Sequence, residues 1–256
     1  MIRLIATDLD GTLLGQGGQV TERTLSAIAA FARRGGVFVP VTGRAGCHVP
    51  EWIRASEDIR YYLHSNGARC VEVKTGREVF VSATPAALCR RAFEIVSPYP
   101  GRWNVFCGGE VHSETHAPGE KSRLTALLDE PGIRVEKLDV TPENKADRAR
   151  AWEELCKVEG LEVTSAYDTN IELNGPEGAK GSGVRRLADM LGIQKNEIMA
   201  FGDGLNDVSL LSAAGFPVAM ENAMQGLKAV CRLVAPSNLE DGEAAVIEKM
   251  VLGEMG

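Results

Sequence analysis

Two aspartates one residue apart, Asp8 and Asp10 in Asp8-Leu9-Asp10-Gly11-Thr12, follow directly on the apolar run Ile2 to Ala6. Carboxylates this close raise each other's pKa unless a cation or a proton relieves the repulsion, so the pair implies a bound divalent metal, an acid/base role, or both. An Asp-Gly surface turn is the plainer alternative, because that dipeptide is a common turn former. Two more polar groups follow later apolar runs: Thr42-Gly43-Arg44 after Val37 to Val41, and Gly202-Asp203-Gly204-Leu205-Asn206-Asp207 after Ile198 to Phe201. Lys180 stands at the start of the helical pattern before the last of these runs. Oxygen ligands from Asp8, Asp203 and Asp207 suit Mg²⁺, which takes a few carboxylates, several waters and a phosphate oxygen. Thr42 and Lys180 would then face the anion that the metal attracts. Phosphoryl transfer needs little beyond positioning and charge neutralisation, and an aspartate can serve as its covalent acceptor.

The elements that must carry these residues alternate in type. Ile2–Ala6 reads as a strand, and Thr21 as the N-cap of a helix with Leu25, Ile28, Ala29, Phe31 and Ala32 on one face, ended by Gly35 and Gly36. Val37–Val41 is the next strand, a helix covers Pro50 to Ala55, and Tyr61–His64 is a third strand ending at Ser65-Asn66-Gly67. Gly181 to Leu191 reads as a helix closed by Gly192, followed by the strand Ile198–Phe201. This rhythm predicts a doubly wound, Rossmann-like parallel sheet in an α/β core, with ligands beyond the carboxyl ends of the strands. The middle differs. Ala68–Val81 predicts a hairpin, and residues 83–167 carry helical patterns at Pro85–Val96 and Pro142–Val158 around strand-like pieces at Trp103–Phe106 and Ile133–Leu138. The expected division is a core of residues 1–82 and 168–256 with an inserted α+β cap at 83–167.

Bulk properties narrow the class. At 256 residues and 44% hydrophobic content the chain can bury a sizeable core. A net charge of -7 and pI near 5.3 argue against sequence-independent nucleic-acid binding. The cysteines at 47, 70, 89, 107, 156 and 231 lack CxxC spacing, which points to buried thiols in a reducing compartment. No run approaches the ~18 apolar residues of a membrane span, and a cytoplasmic protein without membrane or obligate protein partners is expected.

In order and type, Asp8-Leu9-Asp10-Gly11-Thr12, Thr42-Gly43-Arg44, Lys180-Gly181 and Gly202-Asp203-Gly204-Leu205-Asn206-Asp207 resemble the four motifs of the haloacid dehalogenase-like phosphatases. The resemblance is to the Cof-type branch, subclass IIB, whose α/β cap is inserted between the second and third motifs. Ser65-Asn66-Gly67-Ala68 and Asn238 to Gly242 are also similar to Cof-type sequences, while the cap matches only in position and general type. The resemblance implies that Asp8 attacks phosphorus and that Asp10 protonates the leaving alcohol, then activates the water that hydrolyses the aspartyl phosphate. Asp10 would need a pKa well above that of Asp8, which metal contact on Asp8 would help to achieve. Thr42, with Gly43, and Lys180 would bind the phosphoryl group. Asp8, Asp203, the backbone carbonyl of Asp10 and, in support, Asp207 would hold Mg²⁺. The implied activity is hydrolysis of small phosphorylated metabolites, sugar phosphates first.

Other readings use some of these residues. A phosphomutase would pass the phosphoryl group to a sugar hydroxyl. A phospho-receiver domain needs an acceptor aspartate at a later strand end, where only Glu57 and Asp58 occur ahead of a strand. An Asp-x-Asp glycosyltransferase leaves Thr42, Lys180, Asp203 and Asp207 without a role. Arg44, Asn66 and Asn206 are candidates for substrate contact or support, and His64 lies at the same rim. In the cap, His112 and His116 would share a strand face that could bind zinc, though a polar surface suffices to explain them, and Arg102, Trp103, Lys121 and Arg123 are candidate substrate contacts.

Overall fold

A computed structural model describes residues 1–253. In chain order its strands are β1 Leu4–Thr7, β2 Val37–Pro40, β3 Tyr61–His64, β4 Arg69–Glu72, β5 Glu78–Val81, β6 Gly101–Cys107 and β7 Glu110–His116. There follow β8 Val135–Pro142, β9 Glu162–Thr164, β10 Ile171–Asn174, β11 Ile198–Gly202, β12 Phe216–Met220 and β13 Leu233–Ala235. The order β13-β12-β11-β1-β2 forms an all-parallel sheet with β1 near its centre. Successive side chains of a strand point to opposite faces, and here both faces are apolar. Ile5, Phe38, Met199 and Phe201 pack with Ile28 and Phe31 of the helix Glu22–Arg33. Leu4, Ala6, Val39 and Ala200 pack with Val184 and Leu187 of the helix Lys180–Met190. Burial of each such Leu, Ile or Phe contributes about 1.5–3 kcal/mol. The Thr21 hydroxyl caps the first helix by accepting the Thr24 N–H at 3.2 Å.

The third predicted strand forms but does not extend the parallel sheet. A bridge between Val41 and Leu63 and the Thr42 N–H donating to the Leu63 carbonyl at 2.9 Å join its end to the residues after β2, and β3 starts the antiparallel sheet β3-β4-β5. The reversal is local: Ser65, Asn66 and Gly67 have φ of 52°, 61° and 89°, three consecutive left-handed residues that turn the chain back.

The inserted segment is an antiparallel sheet, β7-β6-β8-β10-β9, packed on the helices Ala86–Val96 and Lys145–Leu155 around Trp103, Leu138, Val140 and Leu173. The strand β10 corrects the expected boundary at residue 168, which places Ile171–Asn174 in the core. Its alternate residues Ile171 and Leu173 are apolar and close the cap's interior, so the strand pairs with β8 and β9. Both crossings lie side by side, with the Gly175 N–H donating to Thr84 Oγ1 at 2.9 Å.

Candidate active site

The carboxyl ends of β1 and β11 face the start of the helix Lys180–Met190, so parallel pairing sets residues 8, 180 and 203–207 at one rim. Lys180 Nζ donates to Asp8 Oδ1 at 2.5 Å and to Asp207 Oδ1 at 2.7 Å, and only 1% of Lys180 is exposed. Asp207 Oδ2 accepts the N–H groups of Asp203 and Gly204 at 2.9 and 3.0 Å. Both Asp207 oxygens thus have partners before any metal is considered. Asp203 Oδ1 accepts from Thr12 Oγ1 at 2.7 Å. A ligand oxygen from each of Asp8, Asp203 and Asp207 lies within 4.8 Å of the others, the only such group of three among the described residues. Gly11, at φ 85°, is required here because a Cβ would collide with the Asp203 carboxylate.

Burial pushes the Asp8 carboxyl well above the ordinary range; Lys180 draws it back, while Asp207 and Asp203 add repulsion. The expectation that Asp8 is held low therefore requires a further cation. Burial also opposes the charge of Lys180, but Asp207 and Asp8 outweigh it and raise its pKa. Burial raises Asp203 to about 6, with Thr12 lowering it and Asp207 raising it. Three carboxylates against one ammonium leave an excess of negative charge that suits a divalent cation, and oxygen donors suit Mg²⁺.

The Asp10 carboxylate turns away from this cluster. Arg44 grips it in a two-point ion pair, Nε to Oδ2 at 2.9 Å and Nη2 to Oδ1 at 2.6 Å. Thr42 is buried, and its Oγ1 accepts the Arg44 N–H at 3.1 Å. Gly43 passes so close to the chain's third strand end that a Cβ would lie 2.9 Å from Asn66 Oδ1. Asn66 Nδ2 donates to Glu172 Oε2 at 3.0 Å and to Asn174 Oδ1 at 3.1 Å, which binds the core to the cap. Asn206 lines the cavity beside Gly204.

That cavity, about 510 Å³, is bounded below by Asp8, Asp10, Gly43, Arg44 and Asp203 and above by Lys137, Asp139, Tyr167, Asn170 and Glu172. These five cap residues were not singled out in the sequence. Arg102, Trp103, Lys121 and Arg123, the expected cap contacts, do not line it. Trp103 is core, stacked between Phe93 and His116 at centroid distances of 5.0 and 3.9 Å. His116 Nε2 bonds the Ser97 carbonyl at 3.0 Å, while His112 is exposed, so the pair forms no zinc site. His64 is buried rather than at an open rim, with burial lowering its pKa to about 3.

A family description, haloacid dehalogenase-like hydrolase, matches residues 5–247. The chain belongs to that family. It is 38% identical over 287 residues to the 5-amino-6-(5-phospho-D-ribitylamino)uracil phosphatase YwtE of Bacillus subtilis (strain 168), covering 99% of each chain. A haloacid dehalogenase-like hydrolase structure from B. subtilis superposes with a TM-score of 0.83 at 27% identity, over 98% of this chain and 100% of that one. The subclass IIB sugar phosphatase BT4131 has the same fold, with a TM-score of 0.77 at 20% identity over 96% of this chain and 98% of that one. The chain is an enzyme of the phosphatase type with a subclass IIB fold.

Proposed function

We propose that this enzyme is a Mg²⁺-dependent phosphatase of small phosphorylated metabolites, sugar and sugar-alcohol phosphates first, working through an aspartyl phosphate in the cytoplasm. The observation that carries the reading is the convergence of Asp8, Asp203 and the Asp10–Arg44 pair on one cavity, with the buried Lys180 bonded to Asp8. Asp8, with one oxygen held by Lys180, attacks phosphorus through the other. Thr42, Gly43 and Lys180 bind the phosphoryl oxygens. When bound by Asp8, Asp203 and the Asp10 carbonyl, Mg²⁺ would neutralise charge on the transferring group. Asp207, its oxygens already engaged, acts by holding Lys180 and the 203–204 loop. Asp10, released from Arg44, protonates the leaving oxygen and later takes a proton from the attacking water.

The relative YwtE bears the name of a phosphatase acting on a ribityl phosphate, a small phosphorylated polyol, which supports the substrate class. The compartment is supported by six free cysteines, of which burial raises Cys70 and Cys89 to about 12 and so holds them unreactive. The test is turnover of p-nitrophenyl phosphate with Mg²⁺. Asp8→Asn is expected to lose at least a thousandfold in kcat, and EDTA to abolish wild-type activity; near wild-type turnover in either case overturns the assignment.

A further inference from the structure

The roof of the cavity has a charge pattern that its floor does not need. Its one ammonium is already committed: Lys137 Nζ donates to Glu172 Oε1 at 2.7 Å and to the Gly43 carbonyl at 2.6 Å, with 2% of the residue exposed. Glu172 Oε2 in turn accepts from Asn66. Asp139 is the other carboxylate of the roof, and no cation among the described residues pairs with it. Its Oδ2 accepts from Asn170 Nδ2 at 2.8 Å and its Oδ1 from Asn104 Nδ2 at 3.2 Å, both neutral amides that fix its orientation and leave acceptor capacity on each oxygen. Burial raises its pKa, as expected of a carboxylate without a cation partner, although Lys137 lowers it in part. Beside it, Tyr167 is 65% exposed and offers a flat ring and one hydroxyl to the same space.

We propose that Asp139, with Tyr167, selects phosphate monoesters whose leaving group is uncharged or cationic and presents hydroxyl or amine hydrogens, and rejects those with a carboxylate or second phosphate at that end. The inference rests on the phosphatase reading and adds the sign of the leaving group's charge. A like charge facing Asp139 in a partly desolvated wall is repelled, and no free cation on the roof offsets it. A hydroxyl or ammonium gains a charge-assisted hydrogen bond there.

Glucosamine 6-phosphate, glucose 6-phosphate and 6-phosphogluconate test this, as they share a six-carbon length and differ in charge away from phosphorus. Each is ranked on the full-length protein with Mg²⁺, by kcat/KM where it is hydrolysed and by competitive Ki against p-nitrophenyl phosphate where it is not. The first two are expected to exceed 6-phosphogluconate at least thirtyfold in wild type. Asp139→Asn is expected to cut that preference at least tenfold, and Asp139→Glu to retain most of it. A wild-type preference below threefold, or one that Asp139→Asn leaves unchanged, overturns the inference. Discrimination in the wild type is readable even where a variant does not fold. Failure to hydrolyse p-nitrophenyl phosphate would instead overturn the phosphatase reading, and the inference with it.

Discussion

At the scale of single residues, the two aspartates that open the chain part company. Asp8 is buried against Lys180, whereas the Asp10 carboxylate is held outside by Arg44. If Asp10 supplies and removes the proton, Asp10→Asn should stop steady-state turnover by at least a thousandfold, yet leave Asp8 able to attack an ester whose leaving group departs unprotonated. Rapid mixing of that variant with p-nitrophenyl phosphate should give a burst of about one nitrophenolate per enzyme. Steady turnover near the wild-type rate would remove Asp10 from proton transfer. Asp8, Thr42, Lys180, Asp203 and Asp207 were legible because each immediately follows an apolar run or begins a helix, and a parallel sheet gathers such positions. Asp139, Tyr167 and Glu172 were not, since Glu172 comes to lie opposite Asp139 only through the pairing of β10 with β8, two strands distant in the chain, and Tyr167 lies in the segment between them. The one local signal was alternation: Lys137 and Asp139 interleave with Leu138 and Val140 in a strand apolar on its other face.

At the scale of elements, β1 is braced from behind by a carboxyl that the sequence reading did not use. Thr7 Oγ1 lies 2.9 Å from both the Asp8 carbonyl and Glu243 Oε2. One hydroxyl hydrogen serves one acceptor, so when Thr7 donates to the Asp8 carbonyl, the second contact takes its proton from a neutral Glu243. Burial raises the Glu243 carboxyl from 4.5 to about 8, with Thr7 lowering it and Asp8 adding repulsion. An acid whose pKa is higher folded than unfolded binds more protons in the native state, so its effect on stability turns unfavourable as pH rises through that interval. Glu243→Gln, a permanent neutral mimic, should therefore melt several degrees above wild type at pH 8.5 and within about a degree of it near pH 4. An equal gain at both pH values would show that ionisation is not the cause. The element types themselves were readable from periodicity, including the cap's helices. The strand β10 was missed because four residues with two apolar positions, Ile171 and Leu173, carry too little pattern to separate cap from core.

At the scale of the molecule, cap and core are joined by polar contacts as well as by the two linkers. Glu136 of β8 is completely buried, accepts from Ser65 Oγ at 2.7 Å and from the Gly109 N–H at 3.0 Å, and pairs with Arg69 of β4 at 2.8 Å. Removing the guanidinium strands a buried carboxylate, so Arg69→Ala should cost about 3–5 kcal/mol of unfolding free energy, readable in urea titrations. A loss under about 1 kcal/mol would mean that the hydroxyl and the N–H suffice. The insertion also has a bearing on synthesis. Asp8 leaves the ribosome before the cap, but β11, which flanks β1, and the residues 180 and 203 that surround it come after the whole cap has been made. Domains fold as units as they emerge, so the cap can form while β1 still lacks one neighbour. No chain interrupted before residue 203 holds an assembled centre, and the nucleophile stays idle until the segment carrying Asp203 and Asp207 has been made.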